Sequence, residues 1–210
     1  MGGAELLQVG GYVLAGGKSS RMGCDKALVE LAGQPLIARA TEKLRAVCAE
    51  VAILSGNDHL AAYGRLVRDL RPGCGPLAGV EAALFDSRSD WNLLLPVDVP
   101  FLPAAVLREW AAHITAGPTL RAAYFEVSGR PQPSVLLIHR SVAPRISAAI
   151  DRGEYKLLPA LVAAAAPALH VERLGGECED WFANVNTPEE LESARRAAGL
   201  HDSGRGKRGA

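Results

Sequence analysis

The sequence predicts an α/β fold with a largely parallel sheet. Short apolar segments of strand character alternate with longer amphipathic segments whose apolar residues recur at helical spacing. This alternating order is typical of parallel strands joined by helices. The chain has 210 residues, of which 49% are hydrophobic and 22% charged, enough for the core of one ordinary domain. We therefore expect a single domain over residues 1–200.

The first half of the chain alternates regularly between the two kinds of segment. Each predicted strand is a short apolar run, and each predicted helix has one apolar face. Strands are expected at 12–15, 51–55, 66–68 and 92–96, and helices at 35–48, 77–86 and 103–115.

The second half is less regular. Strands are predicted at 120–126 and 134–138 around the turn SGRPQP, and an edge strand at 169–174. Helices are predicted at 142–150 and 156–166, the second as an alanine- and leucine-rich packing helix. A last helix should begin in NTPEEL, because Thr187 can cap it and Pro188 suits its first position. Residues 201–210, HDSGRGKRGA, are expected to be a disordered tail.

Charge and cysteine content argue against several functions. The chain has 23 Lys and Arg against 23 Asp and Glu, so no bulk field favours nucleic acid or an anionic membrane. No window is apolar enough for a membrane span, and the first residues do not resemble a signal peptide. The four cysteines (Cys24, Cys48, Cys74 and Cys178) are far apart and form no zinc or disulfide motif. We therefore expect a cytoplasmic protein with reduced thiols, without nucleic-acid or membrane partners.

A local basic loop contrasts with this neutral chain. The stretch GYVLAGGKSSRMGCDK passes from a predicted strand into paired glycines, followed by Lys18, Arg21 and Lys26. Glycine backbone N–H groups can approach an anion closely, and the three cations can neutralise a triphosphate. The spelling matches neither the P-loop nor the dinucleotide-binding motif. From the residues alone, a phosphate site and a solvated surface loop both remain open.

The string LAGGKSSRMGCDK strongly resembles the L-A-G-G-x-S-x-R-M-G-x-D-K signature of molybdenum cofactor guanylyltransferases. The resemblance continues at Asp69, GPLAG, PVDVPFLP and NVNTPEEL. It implies a three-layer αβα Rossmann-like nucleotidyltransferase fold, with a nucleotide-binding half at about 10–115 and an acceptor-binding half at about 116–198. Related cytidylyltransferases usually have L-A-A-G, so Gly16 favours guanine on family grounds alone.

The resemblance also implies the residues that bind nucleotide. They are Leu14, Ala15, Gly16, Gly17, Lys26, Ser55, Asn57, Asp69, Gly75, Pro76, Leu77 and Asp98. Asp98 follows an apolar strand, where an α/β sheet binds ligands, and is the expected Mg²⁺ ligand, with Mn²⁺ as a substitute. Lys26, Arg21 and Asp98 are the expected catalytic residues. A helix-capping role for Asp98 and a solvated loop position for Asp69 are the alternative interpretations.

Four further residues are expected to bind the acceptor, molybdopterin. They are Arg130, Lys156, Asn184 and Asn186. The asparagines also suit the start of the last helix, and the two roles are compatible. Gln132 stands where the family often has histidine, so more of the acceptor's phosphate charge would fall to Arg130 and Lys156.

These residues predict transfer of GMP from GTP to the terminal phosphate of molybdopterin, with pyrophosphate released. A phosphate monoester is mostly anionic at neutral pH, so the reaction requires no general base. The product should pass to other cofactor-biosynthesis or insertion proteins. Two alternatives remain. The first is cytidylyl transfer to the same cofactor or nucleotidyl transfer to another phosphorylated acceptor. The second is a catalytically silent nucleotide-binding module on the same fold.

Overall fold

The computed structural model of the protein describes residues 6–16 and 25–205, with side chains described up to residue 196. The strands are β1 (Leu7–Leu14), β2 (Glu30–Leu31), β3 (Gln34–Pro35), β4 (Cys48–Leu54), β5 (Arg65–Val67), β6 (Trp91–Pro96), β7 (Ala122–Val127), β8 (Arg130–His139) and β9 (Leu169–Leu174). The α-helices are α1 (Leu36–Arg45), α2 (Pro76–Asp86), α3 (Ala104–Ala116), α4 (Ala143–Asp151), α5 (Leu157–Ala165) and α6 (Pro188–Arg205). Short 3₁₀ helices span Lys26–Leu28, Asp58–Ala62, Arg140–Val142 and Gly176–Phe182. The predicted α/β order is confirmed.

Within the described residues, the main sheet has the strand order β5-β4-β1-β6-β8-β7-β9. β1 pairs in parallel with β4 and β6, and β4 pairs in parallel with β5. β8 runs antiparallel to both its neighbours, while β7 and β9 are parallel. The mostly parallel sheet is thus confirmed, with β9 at its edge as predicted. The carboxyl ends of β1, β4, β5 and β6 all lie at one edge.

The sheet is covered by helices on both faces, which makes the three layers. Residues of α1, α3 and α6 pack with Val13, Leu93 and Leu95 on one face. Residues of α2, α4 and α5 pack with Tyr12 and Leu94 on the other. Neighbouring strand residues point to opposite faces, so one continuous apolar strand supplies both cores.

β1 begins well before its predicted start, because Gly10 and Gly11 pack closely against the two flanking strands. A Cβ at Gly10 would lie 2.7 Å from Asn92 Oδ1, and a Cβ at Gly11 would lie 3.1 Å from the Cys48 side chain. The absence of side chains at these positions lets the flanking strands approach. Glycine inside a strand usually weakens it, which explains why the sequence suggested a later start.

Two features of the hairpins were not predicted. β8 begins at Arg130, ahead of the predicted 134, and Pro133 lies where the pairing with β7 shifts register between Tyr124 and Phe125. Prolines are tolerated at such irregularities because no ladder N–H is required there. The β2–β3 hairpin turns through Ala32 and Gly33, both with positive φ, the geometry of a two-residue type I′ connection.

The final helix begins as predicted but ends later. Thr187 Oγ1 accepts from Glu190 N, and Glu190 Oε2 accepts from Thr187 N, which forms a capping box. Residues 201–205 belong to α6 instead of the expected tail, since each added residue extends a helix at little cost once it has formed. Residues 206–210 lie outside the described residues. The division into a nucleotide half and an acceptor half stays a prediction.

The described cysteines, Cys48, Cys74 and Cys178, are free thiols, whereas Cys24 lies outside the described residues. Across residues 6–16 and 25–205, no helix has both the length and the hydropathy required to span a membrane.

Candidate active site

Four loops meet at the carboxyl edge of the parallel strands. Gly16 follows β1, Ser55 follows β4, Asp69 follows β5 and Asp98 follows β6. Because β5, β4, β1 and β6 are consecutive in the sheet, these residues succeed one another along one edge. A ligand at this edge can therefore contact several of the loops.

The centre of this edge joins three distant parts of the chain. Lys26 Nζ lies 2.9 Å from Asp98 Oδ2 and also donates to Asn186 Oδ1. The Lys26 and Asp98 side chains are 15% and 26% exposed, so the pair is largely shielded but still reached by solvent. The glycine-rich loop's lysine, the predicted metal ligand and a predicted acceptor residue therefore form one hydrogen-bonded cluster.

Asp25, which our sequence analysis did not assign, positions this lysine. Its Oδ1 accepts from Ala27 N at 2.9 Å and so caps the short helix that begins with Lys26. Its Oδ2 accepts a hydrogen bond from the Asn57 side-chain amide. The aspartate immediately before the lysine in the signature was the available clue.

Asn57 is therefore held within the protein. Its amide nitrogen binds Asp25, and its Oδ1 accepts from His59 N at 3.0 Å. Ser55 is 5% exposed, and its Oγ accepts from Asn57 N at 3.1 Å. Both residues support the turn after β4, and their direct contact with a nucleotide stays a prediction.

The turn that carries Asp98 is fixed through its backbone on two sides. Val97 N donates to Leu14 O at 3.2 Å, and Val185 N donates to Asp98 O at 3.1 Å. The first bond ties the turn to β1, and the second ties it to the segment that carries Asn186. Asp98 thus occupies a turn held between two other parts of the site.

Asp69 lies beside the end of β1 and the first turns of α2. Partial burial raises the pKa of its carboxyl above the usual value. A Cβ at Gly79 would lie 3.3 Å from Leu14 Cδ2 and 3.9 Å from Asp69 Oδ1. Glycine at position 79 therefore allows Asp69 and Leu14 to approach α2 closely.

The GPLAG stretch forms the beginning of α2. Gly75, the residue before Pro76, has φ +65°, a conformation that side chains disfavour. Leu77 is completely buried in the core. Its position in the helix directs the side chain toward the sheet, and its expected contact with the nucleotide stays a prediction.

The predicted acceptor residues occupy different places. Asn186 belongs to the Lys26 cluster, whereas Asn184 lines an open groove of about 980 Å³ together with Pro100, Phe101 and Trp181. Arg130 is the exposed first residue of β8 at the same sheet edge. Lys156 directly precedes α5, next to Tyr155, whose carbonyl lies 3.5 Å from a Cβ placed on Gly75. The structure brings Asn184 and Asn186 near the Asp98 turn and sets Lys156 beside the loop that carries Gly75.

Three predicted residues of the basic loop, Gly17, Lys18 and Arg21, lie outside the described residues. The roles expected for Gly17 and Arg21 stay predictions.

The donor set at the edge fits magnesium better than a metal that needs a protein cage. Among the described residues, no group of three or more His, Cys, Asp or Glu side chains could hold a metal ion. Mg²⁺ commonly takes one or two carboxylates and completes its shell with water and substrate phosphates. The partly exposed Asp98 carboxylate can supply that single protein ligand.

The sequence-family model of the MobA-like NTP transferase domain matches residues 11–166 of this chain. The chain belongs to the MobA-like nucleotidyltransferase family. It is 36% identical over 200 residues to a molybdenum cofactor guanylyltransferase of Serratia proteamaculans, covering 92% of this chain and 97% of the relative. A guanylyltransferase of the same name from Vibrio atlanticus is 32% identical over 189 residues, covering 88% and 94%.

The fold is also similar to that of solved structures. The crystal structure of molybdopterin-guanine dinucleotide biosynthesis protein A from Archaeoglobus fulgidus superposes with a TM-score of 0.74 at 24% identity, covering 91% of this chain and all of that one. The predicted nucleotidyltransferase architecture is confirmed.

Proposed function

We propose that the protein is a molybdenum cofactor guanylyltransferase, which transfers GMP from GTP to the terminal phosphate of molybdopterin. The observation that carries the proposal is the contact of Lys26 with both Asp98 and Asn186. It joins the glycine-rich loop, the expected metal ligand and the expected acceptor segment in one cluster. The full-length similarity to proteins of that name supports the choice of substrates.

The chemistry is an in-line displacement at phosphorus. An oxygen of the acceptor phosphate forms a bond to the α-phosphorus of GTP. The bond between that phosphorus and the oxygen that bridges it to the β-phosphorus breaks. Pyrophosphate leaves with the bonding electron pair. The nucleophile is already anionic, so the protein needs to position two anions and neutralise charge instead of removing a proton.

The described residues can do this work. Asp98 would hold Mg²⁺, which would supply charge neutralisation at the phosphates when bound. Lys26 stabilises the negative charge that develops on the phosphates, because its ammonium lies beside the carboxylate that would hold the metal–nucleotide complex. Asn186 Oδ1 accepts from the same ammonium and so helps to fix its direction.

Nucleoside recognition belongs to the neighbouring loops. Asp69 and the backbone around Gly75 can pair with the ribose and base, and a base that left groups desolvated on binding without partners would be rejected. The groove at Asn184 with Phe101 and Trp181 offers an amide beside aromatic surfaces, which suits a pterin. The free thiols fit a reducing cytoplasm, where the product would pass to cofactor-inserting proteins.

The direct test is incubation of the purified protein with molybdopterin, GTP and Mg²⁺, followed by mass analysis. Molybdopterin guanine dinucleotide and pyrophosphate should form, and omission of Mg²⁺ should abolish both. If dinucleotide formed from CTP but not from GTP, the protein would be a cytidylyltransferase. If neither nucleotide reacted, the proposal of catalysis would fail.

Base selectivity can be measured separately by thermal denaturation with Mg²⁺ and each nucleotide. A ligand at about 100 times its dissociation constant stabilises the folded state by about 2.7 kcal/mol. GTP should give that stabilisation at a lower concentration than ATP, CTP or UTP. Equal shifts with all four nucleotides would contradict selection of guanine by the Asp69 and Gly75 loops.

A further inference from the structure

A third restraint on the Asp98 turn comes from a lysine on α1. The turn already has backbone hydrogen bonds with Leu14 and Val185. In addition, Lys43 Nζ donates to Pro100 O and lies 3.5 Å from Val99 O. These carbonyls belong to the two residues that directly follow Asp98. The turn is therefore held by β1, by the segment before α6 and by α1.

Lys43 makes these contacts from an unusual position. Its helix packs apolar residues against the sheet, and a lysine at the margin of such a face normally extends its ammonium into water. Here the ammonium instead ends on backbone carbonyls in a shielded position. Burial, together with the positive charge of Arg39, lowers the pKa of Lys43 to about 8. Because the ammonium is partly desolvated where it meets the two carbonyls, these contacts are stronger than they would be in water.

The contacts bear on the direction of the Asp98 carboxylate. A turn tied only at Val97 and at the Asp98 carbonyl could still rotate the peptide units that follow. With the carbonyls of Val99 and Pro100 held by one ammonium, both sides of Asp98 are fixed. Groups that orient a metal ligand commonly change metal affinity by about 10- to 100-fold when they are lost.

We propose that Lys43 is a positioning residue for Asp98, holding the turn so that the carboxylate faces the site of the metal–nucleotide complex. The inference rests on the proposed function, since it takes Asp98 as the metal ligand. Lys43 does not contact Asp98 itself, and it acts through the backbone of the next two residues. Its loss should therefore weaken the response to Mg²⁺ more than the binding of the nucleoside.

The test uses the full chain with Lys43→Met, Lys43→Gln and Lys43→Arg. Methionine keeps the apolar stem and removes the charge, glutamine keeps a donor without charge, and arginine keeps the charge and the donors. The matched control is Arg45→Met, because Arg45 also lies on α1 and donates to a backbone carbonyl, that of Tyr63, away from the Asp98 turn.

Two readouts are needed. The first is the Mg²⁺ concentration that gives half-maximal rate at saturating GTP, with kcat and the KM for GTP measured at saturating Mg²⁺. The second is the Mg²⁺ midpoint of the nucleotide-dependent thermal shift, which requires no turnover. We expect Lys43→Met to raise both Mg²⁺ midpoints by about tenfold and leave the KM for GTP nearly unchanged. Lys43→Arg should restore most of the response, and Arg45→Met should behave as wild type.

A Mg²⁺ midpoint for Lys43→Met equal to that of Arg45→Met would overturn the proposal, as would a variant that lowers only the melting temperature. If Lys43→Met does not fold, Lys43→Gln decides in the same way against Lys43→Arg: a raised midpoint supports the proposal and an unchanged one refutes it. If the wild type forms no dinucleotide, the proposed function fails, whereas the thermal-shift midpoints with the stabilising nucleotide still test Lys43.

Discussion

Replacing Lys26 by methionine should separate catalysis from stability. A hydrogen bond to a charged group contributes about 1.5–3 kcal/mol, and ordering a lysine side chain costs about 2 kcal/mol. The Lys26–Asp98 pair is 2.9 Å long with a quarter of Asp98 exposed, so screening lowers its value further. We therefore expect the free energy of unfolding to fall by only about 1 kcal/mol, or about 2–4 °C in Tm for a chain of this size.

Turnover should fall far more. A preorganised group that meets charge developing in the transition state is commonly worth about 100- to 1000-fold in kcat. Lys26→Met should lose turnover in that range, because methionine keeps the stem of the side chain and removes only the cation. Lys26→Arg should retain more turnover than Lys26→Met, although its planar group does not match the contacts to Asp98 and Asn186.

The assay follows dinucleotide formation by initial rate and Tm by thermal denaturation without ligand. Arg195→Met provides the control, since Arg195 forms a surface ion pair with Glu192 and both side chains are about half exposed. It should change neither quantity appreciably. If Lys26→Met kept more than about a tenth of wild-type turnover, the electrostatic role would be refuted. If the lost turnover came with a fall in Tm of more than about 10 °C, the loss would reflect the fold instead.

Three other changes test neighbouring parts of the structure. Asn57→Ala should lower kcat by about tenfold, because Asp25 loses the amide that orients the start of the Lys26 helix, and should lower Tm by about 2–4 °C through the lost cap on His59 N; steady-state kinetics and thermal denaturation would detect these changes. Gly75→Ala should destabilise the fold by about 1–2 kcal/mol in chemical denaturation, because alanine is strained at φ +65°, and should raise the KM for GTP; an unchanged KM would argue against nucleotide contact at this loop. The unfolding free energy of the wild type should rise relative to that of Lys43→Met between about pH 8 and pH 10, by at most about 1.4 kcal/mol per unit. The sign follows because folding lowers the pKa of Lys43, so the unfolded chain binds more protons in that interval, and Cys48, whose pKa burial raises to about 12, affects both proteins alike. Parallel pH curves for the two proteins would show that Lys43 is not shielded.

Much of the fold was predictable because its signals are local. The apolar runs at β4, β5 and β6 and the capped start of α6 each depend on a few neighbouring residues. The early start of β1 was not predictable in this way, since Gly10 and Gly11 are explained by Asn92 and Cys48 on the flanking strands.

In the candidate site, likewise, local sequence identified single residues but not the contacts between them. The signature identified Lys26, and the strand-end position identified Asp98, yet their contact spans 72 residues and that of Lys26 with Asn186 spans 160. Asn57 and Leu77 were expected to face the nucleotide. The structure engages the Asn57 amide with Asp25 and buries Leu77 in the core.

The sequence by itself determined the order of the main-sheet strands and the α-helices, the basic character of the glycine-rich loop and the family to which the loop belongs. These follow from hydrophobic period, residue type and short spacings, which act within one stretch of chain. Only the tertiary structure decided that Lys26 meets Asp98 and Asn186 and that Lys43 holds the turn beyond Asp98. The direction of a side chain and its distant partners depend on how the sheet edge brings separate loops together, and no local pattern carries that information.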